Sequence, residues 1–357
     1  MSLPKNAVAT PVPSGQPPKY RIFEFEPSDY AEQYAAQGFV HIPGGASPEF
    51  MEFAQAFANN KIDASGDRKL GRWQFQGKKL QFLMEFEDNS DYPEGLYRSV
   101  ATVSGLDVAR MMIGERHIKV YDPEAAASPP PHKDRMASEV TVGVGLEIPE
   151  DSRIILYPNC ELAVNPYQTT KEWRDTLDEA DLPENVLAGI EPIEVDMRPG
   201  DVVMFAGSSI YHERINPAGT SVLYMKFNGM RLDPIGEDPQ TQPQRDLSLA
   251  LLATRDDAGL LDNRVEVSPR LEKVTRQYSR RHWGEMIHGH IIGEQEFRLS
   301  EDEFAALRVL DDRALTLRDL VSRLGHPPGA AIGVVAKLRR LIGLGAIDLL
   351  PETEQVR

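Results

Sequence analysis

Two histidines and an aspartate in this sequence have the types and spacing of a metal site. His132 and Asp134 flank Lys133, and His212 lies far downstream in the stretch IYHERIN. Residues i and i+2 of an extended strand share a face, so both side chains of His132-x-Asp134 can reach one ion. Two imidazoles and a carboxylate on adjacent strands form a facial triad, which leaves positions of Fe(II) open for oxygen and an oxo acid. An isolated His-x-Asp is weak by itself, and unrelated surface residues are the alternative interpretation.

The surrounding sequence predicts the strands that such a site needs. His132-Lys133-Asp134 precedes SEVTVGVGLEI, in which alternate apolar residues share one face: Val140, Val142, Val144, Leu146 and Ile148. His212 follows RPGDVVMFAGSSIYH, the pattern of a turn, a buried strand and a turn of small residues. Many short strands joined by Pro and Gly turns predict a mainly β fold, an antiparallel sandwich or barrel with helices packed outside.

The chain resembles the phytanoyl-CoA dioxygenase family of iron(II)/2-oxoglutarate-dependent oxygenases over residues 20–232. The matching stretches are GFVHIPGG, PHKD, GLEIPEDSRIILYPN and RPGDVVMFAGSSIYHERINPAGTSVLYMKFN. The resemblance implies a double-stranded β-helix, or jelly roll, with His132, Asp134 and His212 as iron ligands. It also implies that 2-oxoglutarate chelates the iron and is decarboxylated to succinate as O2 is activated, after which a hydrogen is abstracted from the substrate.

One departure from the family pattern concerns the anchor of 2-oxoglutarate. Family members usually have an arginine shortly after the distal histidine, where this chain has Val222, Leu223 and Tyr224. The nearest cations are Arg214 and Lys226, and a lysine can replace an arginine as a point charge without its bidentate geometry.

Three residues besides Arg214 are candidates to share the anchoring role. The alternation of a strand puts Thr220, Val222, Tyr224 and Lys226 on one face, so a hydroxyl and an ammonium could act together. Lys119, on the strand before the triad, is a further cation. If none of the cations contacts the cosubstrate, dependence on 2-oxoglutarate itself is in doubt.

The resulting hypothesis is an enzyme that uses Fe(II), 2-oxoglutarate and O2 to oxidise an unactivated carbon of a small-molecule substrate. Bacterial natural-product biosynthesis suits the resemblance by analogy alone. Halogenases of this superfamily have a small residue at the position of Asp134, so hydroxylation, desaturation or ring closure is favoured over halogenation. The alternatives are an iron oxidase that does not use 2-oxoglutarate, a ligand-sensing regulator with a DNA-binding winged helix, and a scaffold that has lost catalysis.

Other polar residues have competing interpretations. Tyr157, Asn159 and Asn165 surround the strand SRIILYPN, where they either line a pocket or form turns around a proline. His288 and His290 form an HxH pair without a carboxylate or cysteine at a convincing spacing, which favours a solvent-facing or packed role.

Composition shifts divide the chain into four predicted segments. Residues 1–19 are proline-rich and predict a flexible tail, and residues 20–232 form the jelly-roll domain. Residues 233–297 predict a linker and a helical connector. Residues 298–357 predict three helices and a terminal strand, resembling a winged-helix module whose first helix starts at a capping box of Ser300 and Glu303.

The overall charge limits the choice of partners. The 357 residues contain 39 Lys plus Arg and 55 Asp plus Glu, a net charge of −16 that disfavours nucleic acid. The third helix of the C-terminal module has three cations, Lys337, Arg339 and Arg340, and we expect the module to bind a carrier protein or another partner, to cover the substrate or to mediate a homodimer. The single cysteine, Cys160, excludes an intrachain disulfide, and the lack of an apolar stretch of about 18 residues excludes a membrane span. We expect a cytoplasmic protein.

Overall fold

A computed structural model describes residues 19–64, 79–87, 90–126, 129–158, 163–167, 169–291, 295–311 and 313–350. The chain forms two compact units, Met1–Arg231 and Leu232–Arg357. Nearly all of the predicted tail, and the pocket candidate Asn159, lie outside the described residues. Within the described part, every helix is too short or too polar to cross a lipid bilayer.

The first unit is mainly β with flanking helices, as predicted. Its helices are α1 Ser28–Gln37, α2 Pro48–Ala64, α3 Tyr97–Ser104, α4 Thr170–Arg174 and α5 Pro183–Val186, with a π-helical turn at Tyr92–Leu96 and a 3-10 turn at Glu179–Asp181. Its strands are β1 Phe39–Ile42, β2 Lys79–Leu83, β3 Met112–Tyr121, β4 Val140–Glu147, β5 Arg153–Tyr157, β6 Ile193–Val195, β7 Val202–Phe205, β8 Tyr211–Ile215 and β9 Ser221–Asn228.

These strands form two antiparallel sheets, in the arrangement expected of a jelly-roll core. The larger has six strands in the order β1-β7-β4-β9-β3-β2, and the smaller has three in the order β6-β5-β8. Most neighbouring strands in these sheets are distant in the sequence, so each sheet joins separate parts of the chain.

The larger sheet has an apolar outer face and a mixed inner face. Alternate residues of its central strands pack with residues of the helices in one apolar core, among them Val142, Met204 and Met225. Residues that alternate with these, such as Phe39 and Phe205, form a second apolar cluster together with Leu156 of the smaller sheet. The rest of the inner face carries polar side chains. This alternation follows from the period of two along each strand.

The second unit contains helices and two small sheets. Its helices are α6 Thr241–Thr254, α7 Glu301–Leu310, α8 Leu317–Arg323 and α9 Ala331–Leu344, with a 3-10 turn at Pro328–Ala330. Its strands are β10 Arg264–Val267, β11 Leu271–Ser279, β12 Gly284–Ile291, β13 Gln295–Leu299, β14 Leu315–Thr316 and β15 Ile347–Leu349. They pair in the orders β14-β10-β15 and β11-β12-β13.

The prediction of a linker and helical connector over 233–297 was wrong for most of that range. Only α6 is a long helix there, while β10 to β12 are strands, and Ile287 and Ile291 of β12 are buried in the core that also contains α7, α8 and α9. In β12 buried residues alternate with polar, more exposed ones, as in a strand with one buried face. The many polar side chains of the segment made this alternation difficult to recognise in the sequence. The three C-terminal helices, the terminal strand and the capping box are present as predicted. Assignment to the winged-helix fold stays a prediction.

Asp201 fixes the turn that leads into β7. The turn has Pro199 at its second position and Gly200 at its third, with φ 86°, the signature of a type II turn. The buried Asp201 carboxylate accepts hydrogen bonds from the backbone N–H of Gly44 at 2.8 Å and of Arg198 at 2.9 Å, and it contacts His41 Nε2 at 2.8 Å.

We expect Asp201→Ala to destabilise the protein by about 1–3 kcal/mol, because two backbone N–H groups and His41 lose their buried carboxylate partner. Urea unfolding followed by circular dichroism measures this loss. The matched control is Asp196→Ala, since Asp196 is half exposed and its ion pairs with Arg153 and Arg198 lie at the surface; we expect a change of less than about 0.5 kcal/mol. Equal effects of the two variants would contradict this role of Asp201.

Candidate metal centre

A reciprocal pair of backbone hydrogen bonds places the two histidines side by side. His132 N–H donates to the His212 carbonyl at 3.0 Å, and His212 N–H donates to the His132 carbonyl at 2.9 Å. The two imidazole centroids are 4.4 Å apart. His132 and Asp134 precede β4, as predicted, but a turn closed by Ser138 N–H on the Arg135 carbonyl at 2.9 Å separates them from Val140.

Asp134 is held at both its backbone and its carboxylate. Its N–H donates to the carbonyl of Gly207 at 2.8 Å, and its carbonyl accepts from the side-chain amide of Asn165 at 3.0 Å. The Thr141 hydroxyl donates to Oδ2 at 2.7 Å, and the Lys226 ammonium donates to Oδ1 at 2.7 Å. Four partners from separate segments therefore fix the position of this carboxylate.

The three side chains present their free donor atoms to one point. The ligand atoms of His132, Asp134 and His212 all lie within 4.8 Å of one another, and among the described residues they are the only group of His, Cys, Asp or Glu with this geometry. Nδ1 of His132 contacts the Pro130 carbonyl at 2.9 Å, and Nδ1 of His212 contacts the Ile210 carbonyl at 2.9 Å. A carbonyl can only accept, so Nδ1 carries the proton in both rings and the Nε2 lone pairs are free for a metal.

Burial and neighbouring charges put these residues in the protonation states that a metal requires. Burial, followed by the charge of His212, lowers the pKa of His132 to about 3, and burial lowers the pKa of His212. Burial alone would raise the pKa of Asp134, but Lys226 and the two imidazoles hold it well below its usual value. Both imidazoles are therefore neutral and the carboxylate is ionised at neutral pH.

A buried ion-pair network extends behind Asp134. Lys226 Nζ lies 3.6 Å from Glu115 Oε1, which Arg135 also contacts at 2.5 Å. Burial would raise the pKa of Glu115, but Lys226 and Arg135 lower it far below its usual range. The charge of Lys226 is thus compensated by two carboxylates, which raise the pKa of its ammonium group.

Two other predicted anchors, Arg214 and Lys119, lie on either side of Tyr224. Arg214 donates to the Tyr224 hydroxyl through Nε at 3.3 Å and through a terminal nitrogen at 3.2 Å, and to Ser152 Oγ at 3.1 Å. Lys119 Nζ lies 5.0 Å from the centroid of the Tyr224 ring. Thr220 is fully buried and bonds to Ser152 Oγ at 3.0 Å, so it contacts the guanidinium only through Ser152.

The triad and the predicted cations border the same cavity. Its lining contains most of the predicted site residues but not Thr220: Lys119, Tyr121, Pro129, His132, Asp134, Thr141, Ile154, Phe205, His212, Glu213, Arg214, Tyr224 and Lys226. The strand parity predicted for Tyr224 and Lys226 is correct, since both line the cavity while Leu223 and Met225, which alternate with them, face the apolar core. Tyr157, weighed as a pocket residue, donates its hydroxyl to Glu213 at 3.2 Å.

Sequence reasoning missed three residues that hold the site: Thr141, Gly207 and Glu115. The signal for Thr141 was present, because it shares with Gly143 and Gly145 the face of β4 opposite the valines. Gly207 was grouped with the small residues before His212, yet its role depends on close approach. A Cβ there would lie 2.3 Å from Thr141 Oγ1 and 2.9 Å from Asp134 Oδ2. No local pattern in the sequence indicated a role for Glu115.

Comparisons with known proteins give matches among solved structures alone. No protein-family model matches the chain, and no curated protein matches it. Similar solved structures include the non-heme α-ketoglutarate-dependent carbocyclase SnoK from nogalamycin biosynthesis, at 17% identity and TM-score 0.42, covering 56% of this chain and 82% of SnoK.

Two further structures are similar at the same level. A Pseudomonas putida prolyl-4-hydroxylase has 16% identity and TM-score 0.38, covering 57% of this chain and 98% of its own. HygX from Streptomyces hygroscopicus, with nickel and 2-oxoglutarate bound, has 15% identity and TM-score 0.37, covering 56% of this chain and 85% of its own. At these identities and scores, the interpretation of the site depends on its own geometry.

We expect Gly207→Ala to weaken divalent-metal binding by about 10–100-fold, because the added methyl displaces the Thr141 hydroxyl and the Asp134 carboxylate. Calorimetric titration with Mn(II) alone measures the affinity. The control is Gly333→Ala in α9, where a Cβ meets nothing within 4 Å. Unchanged Mn(II) affinity in a folded Gly207→Ala protein would show that the carboxylate is not held in this way.

We expect Mn(II) affinity to fall less than about tenfold between pH 7.5 and pH 5.5. The pKa of His132, lowered to about 3, keeps that imidazole neutral over this range, the pKa of His212 is also lowered, and the lowered pKa of Asp134 keeps its charge. Two histidines with ordinary pKa values of about 6.5 would instead cost about 100-fold in affinity between pH 7.5 and pH 5.5, because each must lose a proton to bind. Titrations in a non-coordinating buffer distinguish the two outcomes.

Proposed function

We propose that the first unit is an oxygenase that binds Fe(II) at His132, Asp134 and His212 and uses 2-oxoglutarate and O2 to oxidise a carbon of a small organic substrate. The observation that carries this proposal is the convergence of two free Nε2 lone pairs and one ionised carboxylate at a single point. Nitrogen and oxygen donors from a 2-His-1-carboxylate set suit non-heme Fe(II).

The residues present fit such a metal. Three protein ligands leave coordination positions open toward the cavity, where an oxo acid and O2 would need to bind. Bound iron with an oxo acid would supply the oxidising power for breaking a C–H bond. The contribution of the chain is to orient the ligands: the Pro130 and Ile210 carbonyls set the ring tautomers, and Thr141 fixes the carboxylate.

The distribution of charge supports a dianionic cosubstrate. Arg214 is buried and donates to two hydroxyls and to the sulfur of Met197, so its charge lacks a carboxylate within ion-pairing distance among the described residues. Lys119 likewise has no ion pair there, and burial together with Lys226 lowers its pKa. Buried cations with neutral partners are costly, so an anion is expected to complete the site.

We therefore assign the anchor of the distal carboxylate to Arg214, with Lys119 beside it. Lys226 is less suited to this role, because Asp134 and Glu115 already compensate its charge. Tyr224 occupies one of the positions where the resembled family has its arginine, and its hydroxyl accepts from Arg214. In this proposal the guanidinium comes from β8, a strand of the smaller sheet, and lines the same cavity as Tyr224.

The alternative of an oxidase without an oxo acid is favoured by one observation, the tyrosine at position 224. It predicts substrate oxidation without succinate. The DNA-binding alternative is disfavoured by the cations of α9, because Lys337, Arg339 and Arg340 pair with Asp302, Asp257 and Glu303 at 2.8, 2.7 and 2.6 Å.

Anaerobic titration with Fe(II) and then 2-oxoglutarate tests the proposal. We expect a visible metal-to-ligand charge-transfer band that requires both components and is absent in His132→Ala and Asp134→Ala, because each variant loses a ligand. Circular dichroism of both variants controls for folding. Iron binding without the band would indicate an oxo-acid-independent oxidase, and retention of the band in both variants would refute the site.

The anchor is tested by measuring the concentration of 2-oxoglutarate at which the charge-transfer band reaches half of its maximal intensity. We expect Arg214→Gln to raise it about 30-fold or more, because the distal carboxylate loses a buried cation. Arg198→Gln is the matched control, since Arg198 is 76% exposed and near the surface carboxylate of Asp196. An unchanged value in Arg214→Gln with a large rise in Lys226→Met would transfer the anchor to Lys226.

A further inference from the structure

The residue between two of the metal ligands, Lys133, is buried on the reverse side of the metal centre. Its side chain is 1% exposed, although lysine is among the residues that are least often fully buried. Successive side chains of extended backbone point to opposite sides, so Lys133 points away from the cavity that His132 and Asp134 line. Tyr211, which precedes the third ligand, His212, is buried next to it. The chain neighbours of the ligands therefore share one environment behind the site.

The Lys133 ammonium contacts two stacked aromatic rings. Its Nζ lies 4.6 Å from the centroid of the Tyr211 ring and 5.0 Å from the centroid of the Trp173 ring. The two centroids are 5.7 Å apart, and the ring planes differ by 22°. Nζ also donates to the Ala163 carbonyl at 2.7 Å. An ammonium removed from water needs such electron-rich partners, and together they give this side chain a defined position.

These contacts join the ligand-bearing backbone to a separate element, because Trp173 belongs to α4. The residues at and before the start of α4 also contact that backbone directly. The Asn165 side-chain amide donates to the Asp134 carbonyl at 3.0 Å, and the Thr170 hydroxyl donates to the Lys133 carbonyl at 2.9 Å. The backbone between the ligands is therefore held by hydrogen bonds to its carbonyls and by the buried ammonium.

We propose that Lys133 is a positioning residue of the metal centre: by holding α4 against β8, its ammonium fixes the backbone that carries His132 and Asp134. This inference rests on the metal site of the proposed function, and it adds a residue that neither ligates the metal nor lines the cavity. Metal affinity depends on donor atoms that already point at one position before the ion arrives.

The Mn(II) affinity of variants tests the role of the ammonium. We expect Lys133→Met to weaken Mn(II) binding about fivefold or more, because methionine occupies a similar space without a charge or a donor. Lys133→Arg should restore most of the affinity, since a guanidinium also stacks on aromatic rings and donates to carbonyls. Calorimetric titration of each metal-free, full-length variant measures the affinity, and circular dichroism shows that the variant is folded.

A second variant approaches the same contact from α4. We expect Trp173→Leu to weaken Mn(II) binding as well, although Trp173 is not a metal ligand. The double variant of Lys133→Met and Trp173→Leu should lose less affinity than the product of the two single losses, because both changes remove one contact. Trp173 is half-buried, so Trp173→Leu alone decides the matter if Lys133→Met does not fold.

The matched control is Lys61→Met on α2. Lys61 Nζ lies 5.1 Å from the centroid of the Phe57 ring, so the variant removes the same kind of contact outside the metal centre. Its Mn(II) affinity should equal that of the original chain. A merely structural role of Lys133 predicts that Lys133→Met unfolds at lower urea concentration while its folded form binds Mn(II) with unchanged affinity.

The inference is overturned if folded Lys133→Met or Trp173→Leu binds Mn(II) as tightly as the original chain. It is also overturned if Lys133→Arg binds as weakly as Lys133→Met, because the cation would then not matter. Failure of the original chain to bind Mn(II) would refute the metal site itself, and this inference with it. If the original chain binds Mn(II) and the variants behave as expected, but no charge-transfer band forms with Fe(II) and 2-oxoglutarate, the proposed function fails and the positioning role of Lys133 stands.

Discussion

The negative charge of Asp134 inside the sheet sandwich is the constraint on which the rest of the site depends. A buried carboxylate remains ionised only if cations and hydrogen-bond donors replace its lost hydration. Lys226 and Thr141 do this, and Glu115 holds Lys226 in turn. The partners that keep the carboxylate charged also fix its direction, so ionisation and orientation have one cause. Gly207 belongs to the same arrangement because only a residue without a side chain leaves room for it.

The alternation of the strands supports this charge network. On β9, Leu223, Met225 and Phe227 pack in the apolar core, while Tyr224 and Lys226 line the cavity. The helices outside the larger sheet therefore stabilise strands whose other face is polar. An apolar cluster that includes Phe205 borders the cavity, and the Phe205 ring packs on His212 with 4.6 Å between centroids. The fold thus confines the charged groups to one part of the sandwich, where a metal and an anion would meet.

Spacing along the sequence was enough to predict the residues of the candidate metal centre, the antiparallel β class of the first unit and the face on which Tyr224 and Lys226 lie. These depend on spacing and on the period of a strand, which are local properties. Only the tertiary structure decided which cations are free: Lys226 lies on Asp134, whereas Arg214 and Lys119 flank Tyr224 without a carboxylate. It also decided that β10 to β13 form strands in a core shared with α7 to α9. Ion pairs and one-sided strands depend on neighbours that are distant in the chain, and local periodicity carries no information about them.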